Sequence, residues 1–244
     1  MWFFMIRGDS CKTFLREFLY PSALPEIYFP ERKKHIMKHT SKTAVLVKIA
    51  MLGVLAFVIE FVEFSLPFFP SFLKVDLSEL ISLIGAFALG PVAGMLVELV
   101  KNGLHLTVSS TSGVGDLANF LVGSAFVMTA GAIYATHRTK KGAIVSLAFA
   151  ILARTVAGAL VNYFITIPLY AIVLGWSTEM IVGMAQSVIP AINDKLTLIV
   201  FAFVPFNLFK GVALSLVALP LYKKVSPLLR SESVKTHQVP KTAH

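Results

Sequence analysis

The sequence predicts an all-α membrane protein with six transmembrane helices, both termini cytoplasmic, and long outer loops after helices one and five. Three observations predict it. Hydrophobic residues make up 56% of the 244-residue chain and charged residues only 14%, with a mean hydropathy of +0.77, whereas a soluble domain carries about 25% charged residues. The apolar residues come in runs near the ~20 residues that cross a bilayer, not in short alternating strands. The basic residues gather on one side of the bundle these runs would make. This composition excludes a soluble enzyme, a disordered chain and an outer-membrane barrel. A formal net charge of +9 would suggest nucleic acid in a soluble protein; here it expresses the positive-inside rule. Cys11 is the single cysteine, so an intrachain disulfide is excluded.

Residues 1–36 differ in composition from the rest of the chain. They mix basic residues with Asp9, Glu17, Glu26 and Glu31, scattered aromatics and prolines, and they lack the continuous apolar core and cleavage site of a secretory signal. They read either as a cytoplasmic extension or as a segment upstream of a natural start at Met37; the second reading is preferred. The membrane domain is expected over 37–224. Its first helix spans Thr43 to Phe64 and stops before Pro67 and Pro70 in SLPFFPSFLKVD, an aromatic, proline-rich loop over 65–77. Ser78 and Glu79 open the second helix, ELISLIGAFALG, and Gly90-Pro91 turns it into the third, PVAGMLVELVKNGLHLTV. The polar SSTSGVGD leads into a fourth helix that ends at the basic cluster from His137 to Lys141. A fifth begins near Gly142, and Pro168 is expected to end it, leaving 169–193 as a long loop with a short helix. The sixth runs from about Lys195 to Tyr222, and 225–244 reads as a polar, disordered tail.

Six helices put both ends of the chain on one side. Lys38, Lys42, Lys48, Arg138, Lys140, Lys141, Lys223, Lys224 and Arg230 lie there, and only Lys74 and Lys195 lie opposite. That asymmetry makes the termini cytoplasmic and turns the loops 65–77, 109–114 and 169–193 outward.

Charged groups within apolar spans are costly, so each is a candidate for function. Glu98, Lys101, Asn102 and His105 share one face of the third helix; an interhelical polar seam explains them better than ligand contact. Arg154, near the middle of its helix, needs an acid, carbonyls or a wet docking surface. Asn162 lies toward the outer half of helix five, and Asn207 and Lys210 lie three residues apart on one face of helix six. Two amides and an ammonium among Phe203, Phe206 and Phe209 can address a flat heterocycle carrying imide groups, and the aromatics can cover its rings. Asp76 and Glu79 bring carboxylates to the start of helix two, where they also suit the helix dipole. GVGD at 113–116 is a weak phosphate-loop signal and reads as a helix entry. No Walker lysine-serine pair, Ser-His-Asp set, CxxC or metal-ligand spacing is present. The residues alone leave open a vitamin-binding transport subunit, an intramembrane enzyme using the Glu98–His105 stripe, or a structural membrane protein.

At PFFPSFLKVDLSELISLIGAFALGPVAGMLVELVKN, GVGDLANFLVGSAFV and VPFNLFKG, from about Met37 to Lys224, the chain resembles the riboflavin-binding S components of energy-coupling factor transporters. The resemblance implies a multi-pass protein of the bacterial cell membrane, not an enzyme. It would capture riboflavin as a transported ligand, without a cofactor, and work with a transmembrane coupling subunit and two cytoplasmic ATPases. By motif it implies Asn207, Lys210, Asn162 and Glu79 as the residues meeting the ligand. An S component for another vitamin is the alternative within the class. One departure is that Ala50, Gly53 and Ala56 of the first helix lack the regular four-residue spacing of small residues that the resemblance associates with docking to the coupling subunit.

Overall fold

Apolar runs of helical length become helices, and breaks at Gly, Pro and polar clusters become their junctions. The structure, a computed structural model, describes residues 42–231, with side chains from Thr43 to Leu221. The segment 1–36, Met37 and residues 232–244 lie outside the described residues. Helix α1 (Lys42–Glu60) ends before Phe64, because the chain there enters a two-residue strand, β1 (Phe64–Ser65). It pairs antiparallel with β2 (Lys74–Val75), Phe64 opposite Val75 and Ser65 opposite Lys74. The expected plain loop is therefore a hairpin, and an ion pair between Lys74 and Glu63 fastens its base.

Helices α2 (Glu79–Leu89) and α3 (Pro91–His105) form a tight hairpin. Gly90 joins them at φ +114°, a conformation that side-chain-bearing residues avoid, and Pro91 occupies the first turn of α3, where its missing N–H costs nothing. At 1.5 Å per residue, the 11 residues of α2 reach only about 16 Å, short of a hydrocarbon core of ~30 Å. A polar turn with Ser112 and Gly113 at positive φ leads into α4 (Val114–Thr136), and α5 (Lys140–Val161) begins where Gly142 N–H donates to the Thr139 hydroxyl.

Pro168 does not end the fifth helix. A π turn over Asn162–Thr166 carries α5 directly into α6 (Ile167–Leu174), which stops at Gly175 with φ +69°. A proline inside a helix lacks a donor and crowds the carbonyl four residues back; the widened turn just before it opens the helix at that point. The following loop begins at Gly175 and holds the short α7 (Thr178–Gln186), capped by Ser177. A capping box between Asp194 and Thr197 starts α8 (Lys195–Leu198), and a second π turn, Ile199–Phe203, leads into α9 (Val204–Ser231). The helix runs past Tyr222 to Ser231 and so takes 225–231 from the expected tail.

Among the described residues four continuous helices are long and apolar enough to cross a membrane, over Thr43–Glu60, Val114–Thr136, Lys140–Leu174 and Lys195–Leu221. Three apolar clusters of the described residues fill the bundle: a small one of Ile49, Ala56, Ala93 and Val97, and two larger ones. One gathers Leu83, Phe87, Phe126, Ala130, Leu147 and Leu214; the other gathers Val75, Ile167, Tyr170, Ile181, Leu198 and Phe206. Along α9 the second core ends at Phe206 and the first resumes at Leu214, and the polar residues lie in the gap.

Gly94 on α3 sets how closely α2 and α3 approach: a Cβ there would lie 2.6 Å from Ala86 Cβ and 3.0 Å from the Ser82 carbonyl oxygen. Gly94→Ala must push the two helix backbones apart. We expect a loss of about 1–3 kcal/mol, measured as a lowered melting temperature of the detergent-solubilised protein.

Candidate functional site

The hairpin and the two π turns enclose a cavity of about 390 Å³. Its walls differ in chemistry. Phe72, Tyr170, Trp176, Phe203 and Phe206 supply apolar ring surface, with Phe72 and Phe203 tilted at 37° and 6.0 Å apart and Tyr170 and Trp176 at 43° and 5.5 Å between ring centroids. Asn162 and Asn207 supply carboxamides. Another stretch of the wall is polar, with His105, Ser109, Thr111, Asp116 and Asn119. There His105 Nδ1–H and the Ser109 hydroxyl both donate to the Asp116 carboxylate, and Ser109 Oγ accepts from Gly113 N–H at 3.1 Å.

The two asparagines are held alike. Asn162 Nδ2 donates to the Gly158 carbonyl at 2.7 Å, and Asn207 Nδ2 donates to the Phe203 carbonyl at 2.9 Å, each one turn back. Asn162 opens one π turn and Phe203 closes the other. The Gly158 carbonyl also accepts from the Asn162 backbone N–H; each amide spends one N–H on its carbonyl. Its second N–H and its oxygen remain for a ligand.

Beneath the cavity lies a buried ionic layer. Lys210 Nζ bonds Asp76 Oδ2 and Glu79 Oε1, both at 2.8 Å. Arg154 makes a bidentate pair with Glu79, its Nη2 at 3.2 Å from Oε1 and its Nη1 on Oε2. Lys101 reaches Glu98 Oε2 at 3.0 Å, Ser78 Oγ at 3.1 Å and Glu60 Oε1 at 3.8 Å. Ser78 in turn donates to Asp76 from its backbone, at 2.9 Å, and from its hydroxyl. Burial alone pushes the Asp76 carboxyl up; Lys210 and Lys101 outweigh it and hold that group well below the usual carboxylate range.

Of the residues singled out in the sequence, Asn162 and Asn207 face the cavity. Lys210 and Glu79 do not line it: they stand behind Asp76 and Arg154, which do. An ammonium in an apolar span takes the nearest acids, and the hairpin delivers Asp76 and Glu79 to it. The expected local pair Glu98–Lys101 is present, whereas His105 leaves the stripe for Asp116 and packs its ring near Phe57 and Phe61. Asp116, Asn119, Arg154, Tyr170 and Trp176 were not singled out for the site. Asp116 was hidden in a helix-entry motif, although the run of Ser109, Ser110, Thr111 and Asp116 carries more polar groups than a turn needs. Among the described residues no group of His, Cys, Asp and Glu is arranged to hold a metal ion.

The sequence and fold match known transport subunits. Residues 44–222 match the family described as the ECF transporter, substrate-specific component, and the chain belongs to that family; it is a membrane-embedded transport component and not an enzyme. It is 38% identical over 185 residues to the riboflavin transporter RibU of Staphylococcus aureus (strain TCH60), covering 76% of this chain and 92% of the relative. It is 29% identical to the riboflavin transporter FmnP of Bacillus subtilis (strain 168), covering 78% and 96%. A solved structure described under "Structure and mechanism of the S component of a bacterial ECF transporter" superimposes with a TM-score of 0.62 at 36% identity, over 78% of this chain and 99% of that one.

Lys210→Met separates support of the fold from contact with a ligand. Deleting one partner of a buried ion pair strands the other at a cost of about 3–5 kcal/mol. We expect ligand-free Lys210→Met to melt well below wild type, and Asp76→Asn added to it to restore some of the loss. Unchanged melting of the single variant would show that the ammonium does not support the ionic layer.

Proposed function

We propose that this protein is the substrate-capturing subunit for riboflavin in an ATP-driven uptake system. The single observation that carries the reading is the pair of inward carboxamides, Asn162 and Asn207, set among aromatic rings. The names of the two relatives support the same ligand. A flat isoalloxazine has apolar faces for Phe72, Phe203, Phe206 and Trp176 and an imide edge with donors and acceptors for the two amides. Its ribityl chain carries hydroxyls that suit the polar wall near Asp116 and Asn119. In this reading Asn162 and Asn207 touch the ring, while Lys210 and Glu79 act from behind by fixing Asp76 and Arg154.

The chain has six membrane-embedded helices: the four long ones together with α2 and α3. Both termini are cytoplasmic, as the basic residues ask. The outward lysines are both engaged, Lys74 by Glu63 and Lys195 by the Tyr163 ring at 4.1 Å. The cavity therefore opens outward, on the side where the vitamin is met. With no Walker lysine in the chain, ATP hydrolysis belongs to separate subunits, two cytoplasmic ATPases and a transmembrane coupling partner. The binding unit is 37–224. Among the described residues the cavity wall runs from Glu60 to Asn207, and in this reading residues 1–36 and 225–244 are dispensable for it.

Riboflavin added to the detergent-purified protein should lose its fluorescence in a saturable, one-to-one titration. Asn162→Ala and Asn207→Ala should each weaken binding by about tenfold, the loss of about one hydrogen bond to a buried group. A protein that melts cooperatively yet leaves riboflavin fluorescence unchanged at micromolar concentration would overturn the reading. Removing residues 1–36 should leave the dissociation constant within a factor of two of the full chain, measured by the same titration.

A further inference from the structure

We propose that Gly158 is a positioning residue for the ligand-facing amides, and that the absence of a side chain there sets the orientation of Asn207. Gly158 is buried on α5, one turn before Asn162 and one turn after Arg154. A Cβ built on it would lie 2.5 Å from Asn207 Nδ2, 2.7 Å from Cγ and 3.0 Å from Oδ1. All three contacts fall on the carboxamide and none of the three is with backbone. The amide of Asn207 thus rests against the bare face of α5, and there its Nδ2 reaches the Phe203 carbonyl at 2.9 Å. The same glycine also supplies, through its carbonyl oxygen, the acceptor for Asn162 Nδ2 at 2.7 Å. One residue therefore touches both amides, one by its carbonyl and one by its missing methyl.

The nature of the contact decides what a substitution does. Where an added methyl would strike backbone, two helices must separate and the fold suffers. Here it strikes the end of a short side chain that can rotate about χ1 and χ2. The helix gains propensity from alanine, and the amide yields. The cost falls on ligand recognition and not on folding.

This inference rests on the reading that the two amides meet the riboflavin ring. Wild type, Gly158→Ala, Asn207→Ala and the double variant would be titrated with riboflavin, and the visible absorption band of the bound flavin recorded for each. We expect Gly158→Ala to bind at least tenfold more weakly than wild type. In the Asn207→Ala background, where the amide is gone and the methyl has room, adding Gly158→Ala should change affinity by less than twofold. The flavin band should shift alike in Gly158→Ala and Asn207→Ala, a signature that a purely structural defect would not share. Wild-type affinity in Gly158→Ala, or losses that multiply in the double variant, would overturn the proposal. Should Gly158→Ala fail to fold, the double variant must fold and bind like Asn207→Ala; its failure would overturn the proposal too. Absence of riboflavin binding by the wild type would instead remove the functional reading itself.

Discussion

The structure depends on burying the Asp76–Lys210–Glu79–Arg154 network in the middle of the bundle. Each group alone would be costly away from water, and neither cation is brought to its acids by local sequence. Lys210 comes from α9, Arg154 from α5, and the two acids from the segment entering α2. The pairing therefore fixes three elements against one another. It also anchors the hairpin, because Asp76 follows β2 directly. Replacing such a network with apolar residues can match its stability, so its retention points to what it organises. Its outer surface, at Asp76 and Arg154, is wall of the cavity.

The second ionic group joins the first through a hydroxyl. Lys101 holds Ser78, and Ser78 holds Asp76 from its backbone and side chain together. The entry to α2 is thus specified by side chains in place of an ordinary cap; Ser78 makes no side-chain cap bond of its own. The orientation of the hairpin and that of the α2–α3 unit are consequences of one chain of contacts. Gly123 belongs to the same construction, since a Cβ there would lie 2.8 Å from the Glu98 carboxylate.

Much of this was legible in the sequence, for identifiable reasons. Long apolar runs, the Gly90-Pro91 break and the basic cluster before α5 mark elements whose signals are local. Asn162 and Asn207 stood out because amides in apolar helices have few other uses. Lys210 stood out for the same reason, but its partners lie 134 and 131 positions away in the chain, and nothing local says whether an ammonium meets a ligand or an acid. Pro168 misled because proline usually ends a helix, and a π turn that admits one depends on the packing around it. The hairpin at 64–75 was read as loop because two-residue strands leave no alternation to detect.

The π turn between α5 and α6 accounts for a feature that neither composition nor hydropathy reveals. Along α5 and α6 every fourth residue is buried: Gly142, Ser146, Ala150, Arg154, Gly158, Asn162, Thr166 and Tyr170. In an ideal α-helix that spacing drifts about 40° per step around the axis, so eight such residues could not face one interior. A wider turn takes some of the drift back, and the one in this helix lies over Asn162–Thr166, within the part of the stripe that lines the cavity from Arg154 onward. The residues change with it. Small ones at Ser146 and Ala150 pack in the interior of the bundle, and Gly142 makes room for the His137 carbonyl; larger polar and aromatic ones at Asn162, Thr166 and Tyr170 line open space. A helix regular from end to end would carry Tyr170 away from the cavity it lines together with Asn162. The widened turn, which also accommodates Pro168, is what lets a single helix pack at one end and bind at the other.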